Sequence, residues 1–177
     1  IQNEPDFDWD QKIEPSIYDI HWIICESPSL FEYSAYFGSI ECFKYIYSNH
    51  IQNNPKFNTD YSDYLDRNEY NVVHYAIAGG NIEIVRFLYS NEFDFFGALN
   101  IAALFHRNSI FEWLLDVLDV KINDSVFGEY GSVINYAIKS FNTYIIDICL
   151  DTKKNSKKKK NEHFFPLFEF AERKCTI

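Results

Sequence analysis

Histidine and cysteine have the widest chemical range of any side chains near neutral pH, and this chain has five of the first and four of the second. A structural zinc site needs four such ligands, and a nucleophilic site needs a thiol or hydroxyl beside a base that a third group orients. His21, His50, His74, His106 and His163 are scattered along the chain, as are Cys25, Cys42, Cys149 and Cys175. Only His21 and Cys25 lie within four residues of each other, and no C-x-x-C pair occurs. His74 stands in the most patterned surroundings, V-V-H-Y-A-I-A-G-G, but neither a nucleophile nor an orienting group accompanies it. A Gly-rich phosphate loop, a nucleophile elbow, H-E-x-x-H and an EF-hand loop are all missing from the sequence. These residues therefore point to no catalysis, no cofactor and no metal.

The strongest local charge is the run Lys153, Lys154, Lys157, Lys158, Lys159 and Lys160. It reads as a solvated linker, with nuclear import or contact with an anionic surface as the alternative. The run holds six of the 16 basic residues, leaving 10 against 26 acidic groups elsewhere in a chain of net charge -10. So acidic a body lacks the footprint of a nucleic-acid binder. The apolar runs are far shorter than the ~20 residues that span a bilayer, and acidic Glu4, Asp6, Asp8 and Asp10 are unlike a signal peptide. The sequon Asn123-Asp124-Ser125 thus reads as unmodified, and the chain as an intracellular one, cytoplasmic ahead of nuclear. Four distant cysteines in 177 residues do not make a disulfide framework.

What would position side chains here is a repeat. Segments beginning at Leu30, Val72, Ala98, Val133 and Leu167 align on Ser34, Ala76, Ala102, Ala137 and Ala171, which are 42, 26, 35 and 34 residues apart. Two of these spacings are close to the ~33 of a helix-turn-helix repeat. In the second copy, small residues mark a first helix, Gly79 and Gly80 break it, and Asn81 caps a second helix with Ile82, Val85, Leu88 and Tyr89 on one face. Ile84 and Phe87 fill the seams to the next unit, and Glu83 and Arg86 lie outside. Helices this short cannot bury their apolar faces alone, so the units must stack. Cys42 and Cys149 fall on second-helix core columns.

These residues resemble the ankyrin repeat. Asp66, Val73, His74 and Ala76 match D-x-x-G-x-T-P-L-H-x-A, and Gly80, Ile84, Val85, Phe87 and Leu88 match G-H-x-x-I-V-x-L-L. Glu69 replaces the turn glycine, and Asn71 and Val72 replace Thr-Pro. The linker Asn91 to Gly97 is too short for a full finger, and Asn135 replaces the histidine of the fourth copy. The Ser29 to Ser39 segment looks like the N-terminal region of divergent ankyrin proteins of protists. The resemblance implies an all-α solenoid of about four and a half repeats. Its units lie near 29–50, 66–91, 97–118, 128–151 and 163–177, with loops at 51–65 and 152–162. Residues 1–28 are expected to form one more helix, built on Ile17, Ile20, His21, Ile24 and Cys25. The missing Met and the abrupt ends read as a solenoid cut at both sides.

The resemblance also implies a function: a monomeric scaffold that binds another protein on its concave face, with a regulatory or recruiting arm of a larger enzyme as the alternative. The partner-facing columns fall on Tyr36, Phe37, Arg67, Asn68, Tyr70, Leu104, Phe105, Glu129, Lys139 and Ser140. His74 is expected to bond the backbone of adjacent turns, and Gly79 and Gly80 to shape the turn.

Overall fold

The computed structural model describes residues 8–9, 11–19, 21–52, 70–118 and 133–157, with side chains to Asp151. Described residues form a short 3-10 helix, Trp22–Glu26, and four helix-turn-helix units. The units are α1 (Leu30–Tyr36) with α2 (Ile40–Ile46), α3 (Val72–Gly79) with α4 (Ile82–Ser90), α5 (Ala98–Leu104) with α6 (Asn108–Val117), and α7 (Val133–Lys139) with α8 (Thr143–Lys157). A π turn, Tyr47–Ile51, extends α2. The fifth unit at 163–177 and the loop at 51–65, save Ile51 and Gln52, lie outside the described residues.

The first helices form the spine: α1 packs on α3, α3 on α5 and α5 on α7. Buried Ala35, Ala76, Ala78, Ala102, Ala103 and Ala137 let these helices approach closely. Each begins or ends on a local device. Ser29 caps α1 in a reciprocal box with Glu32, and Asn71 does the same for α3 with His74. Between the helices of each unit one residue is left-handed: Gly38, Gly80, His106 and Phe141. In the second, third and fourth units the next residue along, Asn81, Arg107 or Asn142, caps the second helix or reaches across to the preceding unit, as described below.

The second helices meet through rings. Phe87 lies edge-on to Phe43 at 5.6 Å and to Tyr47 at 4.9 Å, and Tyr89 meets Trp113 at 5.5 Å. The Tyr47 hydroxyl donates to Asn91 Oδ1 and the Tyr89 hydroxyl to Val117 O. The Tyr144 hydroxyl donates to the Glu112 carboxylate, which pulls its phenol above the ordinary value. The aromatic excess is thus spent largely between units.

Three expectations need correction. The leading segment is no full helix: Asp19 Oδ2 accepts from Ser16 N at 2.6 Å and Ser16 Oγ from Tyr18 N at 3.2 Å, a local turn that competes with helix formation. Among the described residues of the segment only Trp22–Glu26 are helical, and Ile17 is 94% exposed. The lysine segment is no loop at its start, because α8 runs on to Lys157 through residues with neither glycine nor proline to stop it. Finally, Cys149 is buried but Cys42 is exposed, on the outer side of α2.

Candidate functional site

The seven-residue linker Asn91 to Gly97 is held from α3. The Asn71 side chain accepts from His74 N at 3.1 Å and donates to Asp94 O at 3.1 Å. His74 Nδ1 accepts from Asn71 N at 3.1 Å, so Nε2 carries the proton and donates to Phe96 O at 2.7 Å. Burial pushes the His74 imidazole below its ordinary value, with the Phe96 carbonyl and Asp94 pulling the other way. A half-buried, doubly bonded imidazole beside no nucleophile is a clasp. Because its folded value is lowered, the unfolded chain takes up the proton first on acidification. The stability contribution is therefore whole above a pH of about 6.5 and declines as the pH falls through it. We expect His74→Ala to lose about 2 kcal/mol at pH 7.5, in line with two partly buried hydrogen bonds. In urea melts the gap to the wild type should narrow toward pH 5; a constant or widening gap contradicts this.

A second set of polar side chains joins the ends of the first helices, one residue after each left-handed turn. Asn81 caps α4 through Glu83 N and Ile84 N and lies 3.4 Å from Gly38 O. Arg107 Nε and Nη2 donate to Ala78 O at 3.0 and 2.6 Å. Asn142 Nδ2 donates to Ala103 O at 3.1 Å and to Asn108 Oδ1 at 2.9 Å, and its Oδ1 accepts from Ile145 N. Gly38 and Gly80 make room for two of these arms, since a β-carbon would meet Asn81 Nδ2 at 2.8 Å or Arg107 Nε at 2.9 Å. The recurrence of Asn81, Arg107 and Asn142 at one column is visible in the sequence, but as caps these residues point nowhere beyond their own helix.

The same helix ends carry the anticipated partner residues. Tyr36, Phe37, Leu104, Phe105, Lys139 and Ser140 fall at equivalent positions of α1, α5 and α7, and Tyr70 precedes α3. Phe37 is 58% exposed and rests on Tyr33 and Tyr36 at 4.6 and 5.1 Å. Leu104 is half-buried. Lys139 Nζ sits 5.2 Å over the Tyr136 ring. The Ser140 hydroxyl is engaged within the fold, 3.0 Å from Ala103 O and 3.1 Å from Tyr136 O, and the His106 ring meets Ser140 O. Arg67, Asn68 and Glu129 lie outside the described residues.

The sequence did not indicate what lies across this edge. His21 lies tilted against Tyr36 at 6.2 Å and Phe105 at 5.8 Å, and Trp22 meets Tyr70 edge-on at 5.0 Å and lies tilted against Phe105 at 5.7 Å. The leading segment therefore bridges three units rather than capping the first. Ile23 and Ile24, wholly buried or nearly so, fasten it. Tyr36 has its phenol raised mainly by burial, with Arg107 opposing and Asp19 adding to the shift.

Stacked two-helix units joined through their first helices define a helical solenoid. The family model for ankyrin repeats (3 copies) matches residues 30–126, and the chain belongs to the ankyrin repeat family, whose repeats are generally protein-interaction modules. Neither a curated protein nor a solved structure matches the chain. Among the described residues no helix is long and apolar enough to cross a membrane, and no group of three metal-ligating side chains is found.

Proposed function

We propose that the chain is a non-catalytic scaffold that binds a protein partner along its first-helix edge, around Tyr36, Phe37, Tyr70, Phe105 and Lys139. The observation that carries this reading is the set of aromatic rings that successive units bring to one edge, with Phe37 largely open to solvent. Aromatic side chains in such a place dominate interface energies. The outer sides of the second helices offer instead scattered charges such as Glu41 and Asp116.

The test is affinity capture with a tagged chain, followed by binding measurements with the partner recovered. Phe37→Ala with Lys139→Ala should weaken binding about ten-fold, the scale of one hot-spot residue, while Glu41→Ala with Asp116→Ala leaves it unchanged. Equal loss from both pairs would remove the edge from consideration.

A further inference from the structure

We infer that the His21–Trp22 turn is a built-in occupant of the partner-binding edge, and that the external ligand of this edge is a protein segment presenting an indole ring at the same place. The inference rests on the scaffold reading above and adds the chemistry of the ligand. Tyr36 of the first unit, Tyr70 of the second and Phe105 of the third converge on one short piece of chain. Their contacts with it are ring to ring. The edge therefore takes flat aromatic surface: His21 and Trp22 each touch two units, and the indole of Trp22 is the larger of the two rings.

The attachment is uneven. Ile23 and Ile24 are in the core, but Trp22 remains 42% exposed and Ile17 and Tyr18 are 94% and 83% exposed. No side chain caps the start of the 3-10 helix, and it ends on Ser27 in the left-handed region. The aromatic tip can thus leave the edge while Ile23 and Ile24 keep the segment attached. A tethered occupant competes at the effective concentration set by its short tether, so a ligand added from solution meets a site open only for the fraction of time that the tip is away.

The experiment uses a fluorescein-labelled hexapeptide with the sequence of residues 17–22, Ile-Tyr-Asp-Ile-His-Trp, and the full chain. The His21→Ala, Trp22→Ala protein should bind the peptide at least ten-fold more tightly than the wild type, and a peptide ending in alanine should lose this binding. Far-UV circular dichroism checks that the helices persist. If the double variant fails to fold, Trp22→Phe keeps a ring over the core and should still show a gain of about three-fold. Equal binding to variant and wild type, or no binding to a folded variant, overturns the inference. Because the peptide comes from the chain itself, its failure leaves the capture experiment with Phe37 and Lys139 variants to be decided separately.

Discussion

Replacing Gly79 by alanine should cost about 3 kcal/mol or more, the upper part of what an overpacked backbone contact imposes. A β-carbon at Gly79 would be driven into the carbonyl oxygen of Tyr36, with the Tyr36 carbonyl carbon and α-carbon also inside 3 Å. These are main-chain atoms of α1, so no side-chain rotation relieves the clash, and α1 must move off α3. The equivalent positions in the other units are Phe37, Phe105 and Ser140, which shows that the demand belongs to this one seam and not to the repeat. Gly80 is the informative comparison. It is left-handed at φ 86°, but the atoms facing it are the far end of the Arg107 side chain. Gly80→Ala should therefore cost about 1–2 kcal/mol, the ordinary penalty for a left-handed alanine, because the guanidinium can shift. Urea unfolding followed by circular dichroism decides between them. Equal losses would mean that the α1–α3 contact is looser than described. For a domain of total stability near 5–15 kcal/mol, Gly79→Ala should also raise the population of chains with the first unit detached.

Asn142→Ala is the second large effect, about 2–4 kcal/mol. Asn142 is 1% exposed and serves three groups: the carbonyl of Ala103, the side chain of Asn108 and the first turn of α8. Alanine takes the donor from the partly buried Asn108 Oδ1, leaves Ala103 O with only the Ser140 hydroxyl, and removes the cap, costs that run to about 1–3 kcal/mol for the lost hydrogen bonds and about 1 for the cap. Asn142→Asp restores the cap acceptor but no donor, so it should recover only the smaller part. In a solenoid the damage stays near its origin. Hydrogen exchange should quicken in α7 and α8 first, with α3 and α4 protected as before; uniform quickening through all four units would contradict a nearest-neighbour spine.

The repeat itself was legible because it depends on local signals that survive divergence: a small residue in the spine, a left-handed turn four residues later, an apolar face on the second helix. His106 and Phe141 occupy that turn without being glycine, and the period alone reveals them. The seams were legible in part: Phe87 is expected there and meets Phe43 and Tyr47, whereas Tyr89, expected on the same face as Val85 and Leu88, instead turns to Trp113 of the next unit. The polar arms were half legible. Asn81 and Asn142 look like ordinary caps, and nothing local says that their amides also face the preceding unit. Least legible was the leading segment. Its helical spacing from Ile17 to Cys25 is real, but Ser16 and Asp19 close a turn on their own backbone, and the rings that Trp22 meets come from residues 48 and 83 positions away. Contacts of that range leave no periodic trace. As a result the partner columns were drawn at the first-helix ends without the chain's own segment that lies across them.

A first-helix edge that binds a protein and is covered by the chain's own aromatic tip should respond in opposite directions to changes in the edge and in the tip. The most direct measurement is the affinity of the captured partner for three full-length proteins, by calorimetry or fluorescence anisotropy. The account predicts binding about ten-fold weaker with Phe37→Ala and Lys139→Ala, tighter than wild type with His21→Ala and Trp22→Ala, and unchanged with Glu41→Ala and Asp116→Ala. Loss of affinity confined to the Glu41 and Asp116 pair would contradict it, since the partner would then sit on the outer helices.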